Sequence, residues 1–187
     1  MSIFTGLFGP PVAAAELPYE ADAAQARAAR WVRWIASVSP MRDPIDDPTG
    51  EHAAEGQPDD LWFLAGSYGK KVTRTCTVPA GRPLFFPIII SWQHAADGPV
   101  ERFAGAPLMC RLDGVDLPAQ EVVCDRPFEV AGRLGNPVTG RRKPAPMLCS
   151  GLWSTLEPPA PGPHELYFQG DGGAFTVDVT YHLSISP

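Results

Sequence analysis

The chain has 187 residues, 44% hydrophobic and 19% charged, with a formal net charge of −6 at pH 7. That length suits one domain with a substantial core. Proline (22) and glycine (18) make up about a fifth of it, which excludes a helical bundle, because each interior proline removes a donor and clashes with the preceding turn. The acidic balance argues against nucleic-acid and anionic-membrane binding, both of which need a basic face, and no apolar run reaches the roughly 20 residues of a membrane span.

Residues 1–18 read as an apolar N-terminal arm. Residues 1–15 end in Ala13-Ala14-Ala15, a small-residue pattern of leader cleavage, but no Lys or Arg precedes the apolar stretch and Pro10-Pro11 interrupts it. A cytoplasmic location is therefore expected, with a secreted protein carrying residues 1–15 as a weak signal peptide as the alternative. Ile3, Phe4, Leu7 and Phe8 require burial, on the domain's flank or in a homodimer formed through the arm.

Residues 19–187 read as a single domain. A helix is predicted over 19–38, where Trp31, Trp34, Ile35 and Val38 share one apolar stripe and Ser39-Pro40 stops the pattern. An acidic, proline-rich loop follows over 42–60, longer than ordinary structureless connections. From Leu61 onward the signals are strands. Residues 61–65 are short and apolar, 71–78 alternate, and 84–90 are apolar on both faces, as a central strand requires. Pro87 within the last of these predicts a bulge. Asp113-Gly114 predicts a two-residue hairpin turn between strands at 108–112 and 115–123. Further strands are read at 128–130, 148–156 and 165–168. The final one has Phe175, Val177, Val179, Tyr181, Leu183 and Ile185 alternating with polar residues. Eight or nine short strands with one amphipathic helix predict an all-β fold, a β-sandwich of immunoglobulin-like or jelly-roll type.

Three segments carry a resemblance: Trp62-Phe63-Leu64-Ala65-Gly66, then Arg74-Thr75-Cys76-Thr77-Val78-Pro79-Ala80-Gly81, then Phe85-Phe86-Pro87-Ile88. With the immunoglobulin-like closing hairpin from Pro161, they resemble an uncharacterised bacterial family whose members are often secreted. The resemblance implies a fold and no activity. Its members carry a cysteine near the position of Ala53 that could pair with the one matching Cys76; here His52-Ala53 stands there, so that disulfide cannot form.

The candidate chemistry is sparse. Cys76, Cys110, Cys124 and Cys149 show no zinc-site spacing and read as buried thiols. With Asp113-Gly114 as the turn, Cys110 faces Leu117 and not Cys124. Ala65-Gly66-Ser67-Tyr68-Gly69 imitates a nucleophile elbow, but a strand follows it where the elbow needs a helix. No nucleotide, flavin, nicotinamide or haem fingerprint occurs, so no cofactor and no metal is expected. The loop carboxylates Asp46 and Asp47 lie adjacent between two prolines. Trp92, Gln93 and His94 leave the most apolar strand, with an imidazole able to move protons near neutrality. His94 and Asp47 are thus the candidate catalytic pair, with Trp92, Gln93, Asp46, His52 and Trp62 as candidate ligand contacts. The expected function is cofactor-free binding of a hydrophobic small molecule, extending to a cyclase or isomerase. The alternative is a non-catalytic secreted or surface immunoglobulin-like module that binds carbohydrate or another ligand.

Overall fold

A computed structural model describes residues 15–186. The arm anticipated over 1–18, with its roles as leader and dimer contact, lies outside the described residues except for 15–18. Helix α1 (Ala24–Ser37) is followed by nine strands: β1 (Trp62–Phe63), β2 (Lys71–Pro79), β3 (Leu84–His94), β4 (Leu108–Leu112), β5 (Val115–Asp116), β6 (Gln120–Val130), β7 (Ala145–Leu156), β8 (Gly162–Asp171) and β9 (Thr176–Ser186). They form a four-stranded sheet in the order β1-β3-β7-β6 and a five-stranded sheet in the order β2-β9-β8-β4-β5. The all-β sandwich with one helix is therefore observed. No helix among the described residues is long and apolar enough to cross a membrane.

Three layers explain the hydrophobic pattern. Trp31, Trp34, Ile35 and Val38 of the helix stripe are buried on the outer face of the four-stranded sheet, against Phe63, Phe85, Phe128, Met147 and Trp153. The other face of that sheet packs Leu84, Phe86, Ile88 and Leu152 against Phe168, Val177, Val179 and Leu183 of the five-stranded sheet. A sheet covered on both faces reads as continuous apolar runs, as β3 and β7 do. Trp153 stacks on Phe85 at 4.8 Å and meets Trp31 edge-on at 5.7 Å, contacts that contribute about 0.5–1.5 kcal/mol each beyond area burial.

The helix starts at Ala24 and not at Tyr19. Tyr19 is instead anchored on β6, its hydroxyl donating to the Arg126 carbonyl at 2.8 Å and accepting the Arg126 N–H at 3.0 Å. Two arginines of α1 find partners at the rim: Arg30 pairs with Asp60, and Arg33 donates to the Glu129 carbonyl.

The bulge at Pro87 is present, with the β3–β7 register shifting between Pro87 and Ile89. Proline has no N–H to lose there, and the extra residue turns both Ile88 and Ile89 toward the second sheet. Asp113 (φ 50°) and Gly114 (φ 81°) form the two-residue turn, in the left-handed region that such hairpins need. The pairs Arg111 with Asp116 and Leu112 with Val115 match the anticipated register.

The strand expected over 115–123 is broken. The chain leaves the five-stranded sheet at Leu117-Pro118-Ala119 and enters the four-stranded sheet as β6, where proline's missing donor favours a crossing point over a ladder position. Cys110 and Cys124 consequently lie in different sheets, and Cys124 faces Cys149 across the β6–β7 ladder. All four cysteines are buried free thiols.

Candidate functional site

The site begins where β1 fails to continue. β1 runs parallel to β3 and pairs only through Trp62 with Leu84 and Phe63 with Phe85. Two bonds flank these pairs, from the Trp62 N–H to the Pro83 carbonyl and from the Leu64 N–H to the Phe85 carbonyl, and the second ends the contact. Beyond it, side chains from three distant elements capture the backbone. The Trp31 indole N–H donates to the Leu64 carbonyl at 2.8 Å. The Tyr181 hydroxyl accepts the Ala65 N–H and donates to the Ala65 carbonyl. The Arg74 guanidinium donates to the carbonyls of Ala65 and Gly66 at 2.8 and 2.9 Å. Held this way, residues 64–66 cannot offer a ladder to β3.

A wedge-shaped cavity of about 400 Å³ opens between this segment and β3. Gly66, Ser67, Tyr68 and Gly69 line one wall and residues 87–92 of β3 the other, and Trp31, Ile45, Phe175 and Val177 complete the lining. Its size falls in the ordinary range of small-molecule sites and its lining is mainly apolar. The polar groups at its rim are few. The Tyr68 hydroxyl donates to Asp43 Oδ2 at 2.9 Å, and Ser67 donates to the Lys70 carbonyl, consistent with a turn and not a nucleophile. Burial pushes the Asp43 carboxyl upward, partly offset by the Ile45 N–H and Tyr68 hydroxyl that it accepts. Burial and the adjacent Asp43 charge push the Tyr68 phenol above its usual range.

Arg74 organises the region. It is 1% exposed on the inward face of β2, donating from Nε to the Asp47 carbonyl and from Nη2 to the Ile45 carbonyl, at 2.6 and 2.9 Å. Its Nη1 also reaches the Tyr181 hydroxyl at 2.9 Å. One side chain therefore fixes both the acidic loop and the Gly66 wall. Gly50 allows the loop to lie this close: its φ is 91°, and a Cβ there would sit 2.4 Å from the Thr75 carbonyl oxygen.

The anticipated site residues divide. Trp92 lines the cavity, half-buried and 6.3 Å from the Trp31 ring. Gln93 turns away, donating to the Gly98 and Pro99 carbonyls. His94 is not on the cavity either; the lining of β3 ends at Trp92, and the His94 Nε2 lies 3.5 Å from the Arg141 guanidinium. Asp47 is committed to its own loop, one carboxylate oxygen accepting the Thr49 and Gly50 N–H groups and the other that of His52. The acidic loop does reach the Trp92 end of the sheet, but it presents Ile45 there in place of Asp47. Asp46 is exposed and paired with Lys70 at 3.0 Å, and His52 sits 3.3 Å from Glu51.

Trp62 is buried at the start of the sheet, opposite the His94 end, with Arg82 over its ring. In the structure β1 and β3 are direct neighbours and β2 lies in the other sheet.

Sequence reasoning missed Ile45, Tyr68, Phe175 and Arg74 as site-forming residues. Arg74 carried a readable signal: it shares the alternating face of Val72, Cys76 and Val78, where an arginine must find buried acceptors. Among the described residues, no group of three His, Cys, Asp or Glu side chains gathers to hold a metal ion.

No protein-family model matches the chain, and no curated protein is similar to it. Among solved structures, the solution structure of amebosin matches with a TM-score of 0.23 and 10% identity, over 65% of this chain and 96% of that one. A likeness this weak carries no argument about function.

Proposed function

We propose that the protein binds a small hydrophobic molecule in the wedge beside β3, without a cofactor. The observation that carries this reading is a preformed cavity of about 400 Å³ with mainly apolar walls and few polar side chains, Ser67, Tyr68 and Ser91. Binding is favoured over turnover. His94 and Asp47 do not reach the cavity, and the Tyr68 hydroxyl is engaged as a donor to Asp43. The carbohydrate-binding alternative calls for an exposed aromatic platform, whereas Trp31, Trp34, Trp62 and Trp153 are all buried.

A fluorescent apolar probe tests the reading. Phenylnaphthylamine should brighten with the wild-type protein and not with Gly66→Leu. The first added carbon of that variant meets only Val177, at ordinary contact distances of 3.4 and 3.9 Å, so the new side chain fills the wedge without backbone strain. Equal brightening with both proteins, at unchanged Tm, would move the ligand elsewhere.

A further inference from the structure

The wall formed by β3 is a strand edge as well as an apolar surface. An interior strand has two hydrogen-bonding edges, with successive backbone groups turned to opposite sides. One edge of β3 is paired with β7 from Leu84 to His94. The other is paired with β1 only at Leu84 and Phe85. Past Phe85, no backbone bond outside the β7 ladder engages residues 87–92 among the described residues. These same residues line the cavity. Pro87 cannot donate, and the bulge at Pro87–Ile89 displaces the edge from the line of β1. On the facing side, Trp31, Tyr181 and Arg74 have already taken the carbonyls of Leu64, Ala65 and Gly66 and the Ala65 N–H. The wedge is therefore a slot in a sheet, with unpaired ladder positions on the β3 wall and the carbonyls of the facing wall already occupied.

An occupant without polar groups would seal the free edge from water and leave its N–H and C=O groups without partners, an unfavourable burial. An occupant with a secondary amide between apolar groups supplies one donor and one acceptor in the spacing that a strand edge accepts, as in strand addition by peptides. The rest of the slot, with Ile45, Trp92, Phe175 and Val177, suits the flanking apolar groups.

We propose that the ligand of this cavity is a small apolar molecule bearing a secondary amide, held in extended form along residues 87–92 of β3. The proposal rests on the small-molecule reading above and specifies the chemistry of its ligand.

The test compares N-acetyl-valyl-valine methylamide with its depsipeptide analogue, in which an ester replaces the central amide, and with phenylnaphthylamine. All three are titrated into the wild-type protein while backbone amide resonances and their hydrogen exchange are followed by NMR. The expected result is that the amide binds at least about tenfold more tightly than the ester, the effect of losing one well-formed hydrogen bond. It should also slow exchange within residues 88–92, and Gly66→Leu should abolish both effects. Equal binding of amide and ester, or binding with no change at residues 88–92, overturns the proposal while leaving the small-molecule reading standing if phenylnaphthylamine binds. No binding by any of the three overturns both.

Discussion

Replacing Arg74 with methionine tests whether one buried guanidinium builds the cavity. Its five hydrogen bonds reach the carbonyls of Ile45, Asp47, Ala65 and Gly66 and the Tyr181 hydroxyl. The Ala65 carbonyl keeps the Tyr181 hydroxyl as a partner in the variant, so the carbonyls of Ile45, Asp47 and Gly66 lose the bonds Arg74 gave them. At about 1–3 kcal/mol for each unsatisfied buried group, partly offset by no longer burying a charge, the expected loss is about 4 kcal/mol. For a domain of this size that is a fall in Tm of about 8–16 °C. Urea unfolding should show a lower midpoint with an unchanged slope, and phenylnaphthylamine binding should weaken because Ile45 and Gly66 are no longer held. Arg74→Lys should recover only part of the loss, since one ammonium cannot reach acceptors spread around a planar fork. A fall in Tm of less than about 2 °C for Arg74→Met, with binding intact, would refute this account of the site.

Val179 is fully buried on the inward face of β9, and Val179→Ala should lower stability by about 1–3 kcal/mol in urea unfolding; a neutral effect would contradict the sandwich packing. Burial raises the Asp47 carboxyl, but the N–H groups of His52, Thr49 and Gly50 outweigh it and hold the group below the usual range. A depressed folded pKa contributes stability that is full above about pH 4 and is lost as pH falls through the folded value. The wild-type urea midpoint should therefore drop more steeply with acid than that of Asp47→Asn, and parallel acid limbs would count against the reading. Burial raises the Cys76 thiol to about 12 and the Cys110 thiol to about 11. Native protein should accordingly react slowly with Ellman's reagent until denatured, and non-reducing peptide mapping should recover no link between Cys110 and Cys124. His94→Ala should leave probe binding unchanged while Trp92→Ala weakens it; the reverse outcome would return His94 to the site.

The fold was legible where one local pattern determined one outcome. Alternation in β9 turned Val177, Val179, Tyr181, Leu183 and Ile185 inward as expected, and Asp113-Gly114 set its own hairpin register. Sheet membership was not legible, because a period of two residues says which face a side chain takes and nothing about which sheet it joins. The chain that looked like one strand from Val115 therefore serves both sheets. The site was the least readable part. Residues 61–65 read as one apolar strand, and what stops the ladder after Phe63 is a set of hydrogen bonds from Trp31, Arg74 and Tyr181, up to 116 positions away in sequence. Trp92 was found because it ends an apolar run; His94, two residues on, was placed by proximity in sequence alone.

The parallel pairing of β2 with β9, Lys71 opposite Asp178 through Pro79 opposite Ser186, determines when the molecule can take shape. Among the described residues β2 is the terminal strand of its sheet and β9 is its sole ladder neighbour. During synthesis it must wait while about a hundred further residues are added, its inward Cys76 and Val78 without their partners Leu166, Val179 and Leu183. Such long-range closure slows folding and prolongs exposure of apolar surface. Arg74 waits as well, since Tyr181 arrives on the same late strand. The cavity, which draws Phe175 and Val177 from the start of β9, is thus among the last features to form, and a chain halted before that strand lacks both the link that joins β2 to β8 and part of the cavity lining.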